Sequence, residues 1–557
     1  MSEETQTFDY VVIGGGTAGA LITNRLSQNG SSVCLIEAGP RDLNPLIHIP
    51  AGYIKNIYSK TLTWNFEAEP GQGTSGRRFS LPQGRVLGGS SSINGLNYNR
   101  GQSADFDQWA ALGNVGWSYE EVLPYFRRTE RKIGPGDPYY RGRDGELPIT
   151  DLDWHHPVTE AFVTGTQELG IPRNPDYNGE FQAGAGYFQR TILNGLRVSS
   201  ARAFLGSARK RPGVAIRTHT QATAILFEGK RATGVRCEKG GYFGKHFIIR
   251  ARREVIVSAG AINTPKLLQI SGVGSASLLN NLNVPMVHEL PGVGQRLRDH
   301  YGVRMVSRIK NIRTINDMAQ GPPLLLEFAR WLIRRPSLLS VSPSLAHVFW
   351  KSRVDLNRPD LQFVFSPASF REGVVGLLDK APGMTCGVWQ ERPESTGYVK
   401  AQSADPYEAP IIQPNYLLEE KDQQVLLAGM RLARNMMRTS ALSSYFDEET
   451  APGADVESDD EFLDFARRQG TTVYHLIGTA KMGPASDPQA VVDDQLRVHG
   501  VESLRVVDAS IMPTMPSANT NAAVLMIAEK ASDMITGQPA PPRFQRSSGN
   551  PNANLHT

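Results

Sequence analysis

Two groups of residues carry the chemistry legible in this sequence. The first is Gly14, Gly16 and Gly19, in G-x-G-x-x-G spacing, with Glu37 following 18 residues after the last glycine. In such a motif the first glycine permits a tight turn. The second lets backbone approach a pyrophosphate, and the third lets a helix pack closely on a strand. A carboxylate at that distance accepts hydrogen bonds from ribose hydroxyls and repels a 2′-phosphate. The second group centres on His475, in the stretch TTVYHLIGTAKMGP at 471–484. With an ordinary pKa of about 6.5, histidine can move a proton near neutral pH. A histidine among Tyr474, Leu476 and Ile477 reads first as a satisfied core histidine, and the segment alone does not decide between the two.

The elements around the glycines suit their use. Residues 8–13 form a short apolar, β-branched run that predicts a buried parallel strand. Ala18, Ile22 and Leu26 then recur every four residues, as on one face of a helix, and the apolar run 32–36 ends in Glu37. A helix that starts at the glycines offers free N–H groups and a favourable dipole to phosphate. The motif predicts a bound dinucleotide without separating NAD from FAD. A second glycine-rich run, LPQGRVLGGSSSINGLNYNRG at 81–101, would let backbone approach something flat or crowded. Its interleaved Val86, Leu87, Ile93 and Leu96 are unlike a solvated linker.

Bulk properties narrow the function classes. The chain has 557 residues, 40% hydrophobic and 20% charged, which suggests more than one folding unit with a sizeable core. A net charge of +4 gives no strong pull towards nucleic acid. The basic clusters at 127–132 and 208–211 lack aromatic interleaving and read as solvated faces. Cys34, Cys237 and Cys386 are far apart and odd in number, which argues against a disulfide scaffold or a cysteine metal site and for a reducing compartment. The acidic start lacks the features of a secretory signal, and no run of 18 apolar residues occurs, so the expected location is cytoplasmic. The most hydrophobic stretch, 322–339, is broken by Glu327, Arg330, Arg334 and Arg335. It reads as a short amphipathic helix, a lid or core element, with peripheral membrane contact as the alternative. No H-x-x-x-H or H-E-x-x-H pattern exists, so no metal is expected. His155 and His156 are adjacent and would point apart, and His300 reads as structural.

The paired motifs, the glycine turn and RVLGGSSSINGLNYNRG, resemble the glucose–methanol–choline (GMC) family of flavoprotein oxidoreductases, in its bacterial choline and alcohol dehydrogenase-like branch. REVIVSAGAINTPKLLQISGVG at 253–274, PGVGQRLRDH at 291–300 and LRVVDASIMPTMPSANTNAAVLMIAEKASDMI at 504–535 are similar to further family segments, so the resemblance runs from about residue 7 to 537. It implies FAD rather than NAD. By resemblance, Gly14, Gly16, Thr17, Gly19 and Glu37 hold the ADP half. Gly89, Ser90, Asn94, Gly95 and Leu96 line the flavin and its ribityl chain, and Ala222, Ala259, Asp508, Ala509 and Thr520 complete the cofactor contacts. Ile93 stands where some members attach FAD through a histidine. An aliphatic side chain cannot make that bond, so dissociable FAD is expected.

The resemblance also moves His475 towards catalysis, since a histidine before a G-T-x-K-M-G run faces the flavin in this family and pairs with a second His or Asn. Here the partner matches Asn519. The implied reaction oxidises a primary or aryl alcohol to an aldehyde. His475 is general base, Asn519 orients the alcohol oxygen, and hydride passes to flavin N5. Oxygen or a quinone-like carrier would reoxidise the flavin. Leu476 departs from the proline that many relatives carry and bears on pocket shape. The competing reading is a non-redox or light-driven flavin lyase on the same fold, a decarboxylase or hydroxynitrile lyase. The decarboxylase branch lacks the histidine and uses a cysteine near the segment that aligns with Arg392-Pro393. A third reading, a flavin-binding protein without catalysis, is opposed by His475 with Asn519.

The expected architecture is α/β. A doubly wound, Rossmann-like FAD domain is discontinuous over 1–153, 194–304 and 485–537. A substrate domain, 154–193 and 305–484, is built on an antiparallel sheet covered by helices. Strand–turn–helix patterns recur near 8–40, 254–270 and 504–530. Residues 214–238 read as a β-rich meander turning at Gly229. Leu426, Met430 and Ala433 sit at helix spacing, and the Pro-, Ser- and Asn-rich tail 538–557 is expected to be disordered. Trp331, Phe349, Phe365 and Trp389 are candidate walls of the substrate pocket.

Overall fold

The computed structural model describes residues 4–241, 244–371 and 377–544. The apolar run near the start forms the strand Glu4–Ile13. It is flanked in parallel by Val33–Ile36 on one side and Lys245–Val257 on the other. Val11, Val12 and Val33 to Leu35 are wholly buried, as strands covered on both faces must be. Leu504–Val506 extends the sheet by pairing in parallel with the end of Lys245–Val257. The helices Thr17–Gln28 and Asn521–Thr536 pack together on one face, joined by Arg25, whose guanidinium pairs with the buried Glu529 at 2.8 Å.

The 214–238 segment does not form one meander. Val214–Arg217 joins the parallel sheet beside Val33–Ile36, supplying the backbone partners that strand would otherwise lack. Thr220–Glu228 and Arg231–Lys239 then make an antiparallel hairpin about Gly229 and pair with the first half of Lys245–Val257.

The second sheet is antiparallel throughout. Its spatial order is Phe446–Ala451, Tyr301–Ile309, Gly383–Gln390, Leu361–Ser366, Ala346–Trp350 and Gly184–Tyr187, with Thr471–Thr472 added beside Tyr301 and Gly302. Strand alternation splits its residues. Val303, Met305, Phe363, Phe365, Met384 and Cys386 enter a core shared with Leu426, Met430 and Ala433 of the helix Glu420–Met437. Gly302, Arg304, Val364, Thr385, Gly387 and Trp389 face a cavity instead. This sheet therefore roofs the space at the edge of the first one.

Three expectations meet a different outcome. The cluster at 127–132 is not a solvated face: Glu130 and Lys132 are buried, and Glu130 pairs with the buried Arg100 and Arg141. The hydrophobic stretch forms the helix Gly321–Leu332, and Leu325, Leu326 and Leu332 point outward rather than into a core. Of the tail, 538–544 is described, with Arg543 pairing to Glu121 at 2.7 Å and Phe544 beneath the Arg127 guanidinium. Residues 545–557, the rest of the expected disorder, lie outside the described residues.

Candidate active site

One long cavity runs from the glycine turn to His475. Its nucleotide end is built from helix starts. Gly16 caps the helix Thr17–Gln28 and Ala259 caps Gly260–Ile270, so two sets of helix-start N–H groups stand there, while Thr520, next to Asn519, caps Asn521–Thr536 further along the cavity. Gly14 adopts φ +100°, and a side chain there would meet the Ser258 carbonyl oxygen at 2.3 Å. Gly19 does not line the cavity. A Cβ on it would sit 1.9 Å from the Gly14 oxygen, so its role is to let helix and strand close up. Glu37 is held by the N–H groups of Gly15 (2.9 Å) and Gly39 (2.7 Å). Asp508 accepts from Gly260 N–H, the Thr264 hydroxyl and Ser510.

The second glycine run crosses the middle of the cavity. Gly89 lies directly against Gly16, where a Cβ would come within 2.7 Å of the Gly16 Cα. Asn94 Oδ1 accepts from Leu96 N–H and from the buried Arg197. Ser90, Gly95, Ala222 and Ala509 line the same space, and so does Ile93. Along this path Ser258 Oγ, Gln221 Oε1, Asn97 Oδ1 and Trp389 Nε1 are buried with no hydrogen-bond partner among the described residues. Buried polar groups are normally satisfied. A row of orphans beside a phosphate cradle fits a bound dinucleotide.

At the reaction end, His475 follows Tyr474, a non-glycine residue at φ +68°. Asp299 holds this turn. Its carboxylate accepts from His475 N–H (2.6 Å), the Thr472 hydroxyl (2.5 Å) and the Tyr416 hydroxyl (2.6 Å). Burial pushes Asp299 up to about 6, against those hydrogen bonds. His475 Nε2 meets Asn519 Nδ2 at 3.0 Å, and Asn519 Oδ1 accepts from Gln362 Nε2 at 3.4 Å.

His300, expected to be structural, belongs to this constellation. Its Nε2 lies 2.8 Å from the Glu391 carbonyl oxygen and its Nδ1 lies 2.9 Å from His475 Nδ1. A carbonyl only accepts, so His300 carries its hydrogen on Nε2 and offers a lone pair at Nδ1. The contact between the two Nδ1 atoms then requires the hydrogen of His475 on its Nδ1. That leaves the His475 Nε2 lone pair facing Asn519 and the cavity. Burial pulls His300 down to about 4, and burial with the neighbouring His300 pulls His475 well below its ordinary value, so both rings are neutral near pH 7. The Glu391 carboxyl is buried without a hydrogen-bond partner among the described residues and is pushed well up by burial. Sequence reasoning missed Asp299 and His300. Their only signal was the RDH ending of the 291–300 segment.

Of the candidate walls, only Trp389 lines the cavity. Phe349 and Phe365 are core residues, and Trp331 instead donates to the Gly195 carbonyl oxygen. Tyr474 and Leu476 line the cavity, whereas Ile477 packs into the first core.

A dinucleotide cradle opening onto a neutral histidine and an amide fits a dinucleotide-dependent oxidoreductase. The profiles of the two GMC oxidoreductase segments match residues 8–302 and 393–528. The chain is 38% identical over 539 residues to an "Alcohol dehydrogenase [acceptor]" of Pseudomonas putida, covering 95% of each chain. It is 37% identical over 535 residues to an "Oxygen-dependent choline dehydrogenase" of Photobacterium profundum, covering 95% of this chain and 93% of that one. The crystal structure of pyridoxine 4-oxidase from Mesorbium loti superposes with a TM-score of 0.85 at 28% identity, covering 94% of this chain and 98% of that one. The chain belongs to the GMC oxidoreductase family, and its cofactor is FAD.

Proposed function

We propose that this protein oxidises an uncharged primary or aryl alcohol to its aldehyde, with His475 as the general base. The observation that carries this reading is the tautomer imposed through His300, which leaves a lone pair on His475 Nε2 at the cavity surface. When bound, FAD supplies the two-electron acceptor that alcohol oxidation requires. The chain supplies the rest. The substrate O–H donates to His475 Nε2, which takes the proton as the oxygen loses it. Asn519 Nδ2–H, displaced from His475, donates to the substrate oxygen and holds it. His475 Nδ1–H stays on His300, so the ring does not turn as it charges. Tyr474, Leu476 and Trp389 keep the site away from bulk water. The residues at the nucleotide end, Gly14, Gly16, Thr17, Glu37 and Asp508, are proposed to bind the ADP half, and those of the 81–101 run, with Thr520, the flavin half. Ile93 offers no atom for a covalent link.

The substrate's charge follows from Arg304. It lines the cavity on the same strand face as Gly302, with no carboxylate partner among the described residues. Among the described residues, the carboxylates lining the cavity, Glu37 and Asp508, stand at the nucleotide end and are held by backbone N–H groups. A quaternary ammonium substrate such as choline would meet a cation without a counter-charge. The decarboxylase alternative loses support, because Cys386, the cysteine nearest Arg392-Pro393 in sequence, packs into the core face of its strand.

Anaerobic mixing with aliphatic, aryl, sugar and amino alcohols tests the reading through the flavin absorbance near ~450 nm. Bleaching by a neutral alcohol supports it. Bleaching by choline alone, or by no alcohol in the panel, overturns it. Readmitting air then separates oxygen from a quinone-like acceptor.

A further inference from the structure

The helix Gly321–Leu332 is amphipathic with its apolar side outward. Leu325 (71% exposed), Leu326 (57%), Phe328 (44%), Leu332 (59%) and Ile333 (66%) face water. They are five of the eighteen large apolar side chains exposed among the described residues, and they fall within nine positions. Spacings of three, four and seven residues put them on one stripe. Polar contacts fix the inner face. Glu327 is buried and accepts from Leu338 N–H at 2.7 Å and from Arg330 at 2.8 Å. The Trp331 indole N–H donates to the Gly195 carbonyl oxygen at 2.8 Å. Rolling the helix to bury its leucines would break these bonds, so the outward stripe is held by the fold.

We propose that this face lies in the surface of a bilayer containing anionic lipid. Arg330, Arg334 and Arg335 flank the stripe, all exposed, and Arg334 and Arg335 have no carboxylate partner among the described residues. Apolar side chains beside unpaired arginines suit acyl chains beside phosphate head groups. A second copy of this chain suits them less. Pairing two such helices would bring arginines together, and the helix's one carboxylate, Glu327, is buried. At 12 residues the helix is about 18 Å long, short of a roughly 30 Å hydrocarbon core, so it lies in the plane of the surface. Inward of it, a small apolar cavity lined by Leu324 and Leu338 shares Tyr53, Pro343, Ser366 and Phe370 with the reaction cavity. The membrane face is thus also the apolar flank of the site.

Flotation of the FAD-loaded protein with phosphatidylcholine vesicles, and with equal parts phosphatidylcholine and phosphatidylglycerol, tests the proposal. The mixed vesicles are expected to carry the protein and the neutral ones to carry much less. Leu325→Ser with Phe328→Ser and Ile333→Ser should weaken binding at least about tenfold, with FAD content and turnover of a water-soluble alcohol unchanged. Arg334→Glu with Arg335→Glu should abolish the preference for phosphatidylglycerol. No binding to either vesicle, or binding indifferent to both variants, overturns the proposal. So does a wild-type dimer by light scattering that the serine variant converts to monomer, which would make the occupant a second copy.

Discussion

His300 Nδ1 and His475 Nδ1 stand 2.9 Å apart, two like atoms sharing one hydrogen. Since the other nitrogen of His300 donates to the Glu391 carbonyl oxygen, the shared hydrogen belongs to His475. His300 therefore acts as a positioning residue: it sets which nitrogen of His475 is basic. Replacing His475 by Ala should leave FAD bound, seen in the visible spectrum, and slow anaerobic flavin reduction by on the order of 10²- to 10⁴-fold. His300→Phe should keep FAD but lose much of the same rate, because His475 can then carry its hydrogen on either nitrogen. His300→Gln, whose side-chain oxygen can still accept at that place, should recover part of it. Equal rates for the Phe and Gln variants would remove the tautomer argument.

The pH profile follows from the same geometry. A general base works only when neutral, and burial together with His300 lowers the pKa of His475. The acid limb of kcat/KM should therefore fall below pH 6.5, the ordinary histidine value, and activity should be flat just above it. In His300→Gln the neighbouring ring is gone and the limb should move. A limb centred above 7 in the wild type would contradict a buried neutral base.

If the substrate is the uncharged alcohol proposed above, Arg304 should govern the choice of substrate charge. Choline should bleach the flavin poorly beside a neutral alcohol of similar size. Arg304→Glu should reverse the order, raising kcat/KM for choline by an order of magnitude or more, since a desolvated charge of the right sign replaces one of the wrong sign. Steady-state kinetics with both substrates decides this.

Two of the motif glycines should fail in different ways. A Cβ on Gly16 would meet only the Gly89 Cα, at 3.8 Å, but would stand in the cavity. Gly16→Ala should fold with a near-native Tm and lose FAD affinity. Gly19→Ala would place a Cβ 1.9 Å from the Gly14 oxygen and should lower Tm first, by several degrees. Calorimetry beside FAD titration separates the two.

The buried Glu391 carboxyl is pushed towards its neutral form. Glu391→Gln is then nearly isosteric, and its backbone carbonyl still holds His300. Turnover should change less than about fivefold. A larger loss would show that the carboxyl itself takes part in proton movement.

What the sequence determined alone was whatever is local or spaced along the chain. The glycine turn, its strand and helix, and the carboxylate after the second strand follow from backbone sterics and hydrophobic period, which neighbours in sequence dictate. The family, and with it FAD and the pairing of His475 with Asn519, was legible in ordered motifs. The tertiary structure decided what depends on contact between distant segments. Asp299 and His300 join His475 across more than 170 residues, and nothing in their local spacing shows it. The wall of the cavity turned on strand parity: Val364 faces the reaction and Phe365 the core, one residue apart. The helix Gly321–Leu332 has a period that predicts an apolar face, but only the anchoring of Glu327 and Trp331 decided that this face looks outward.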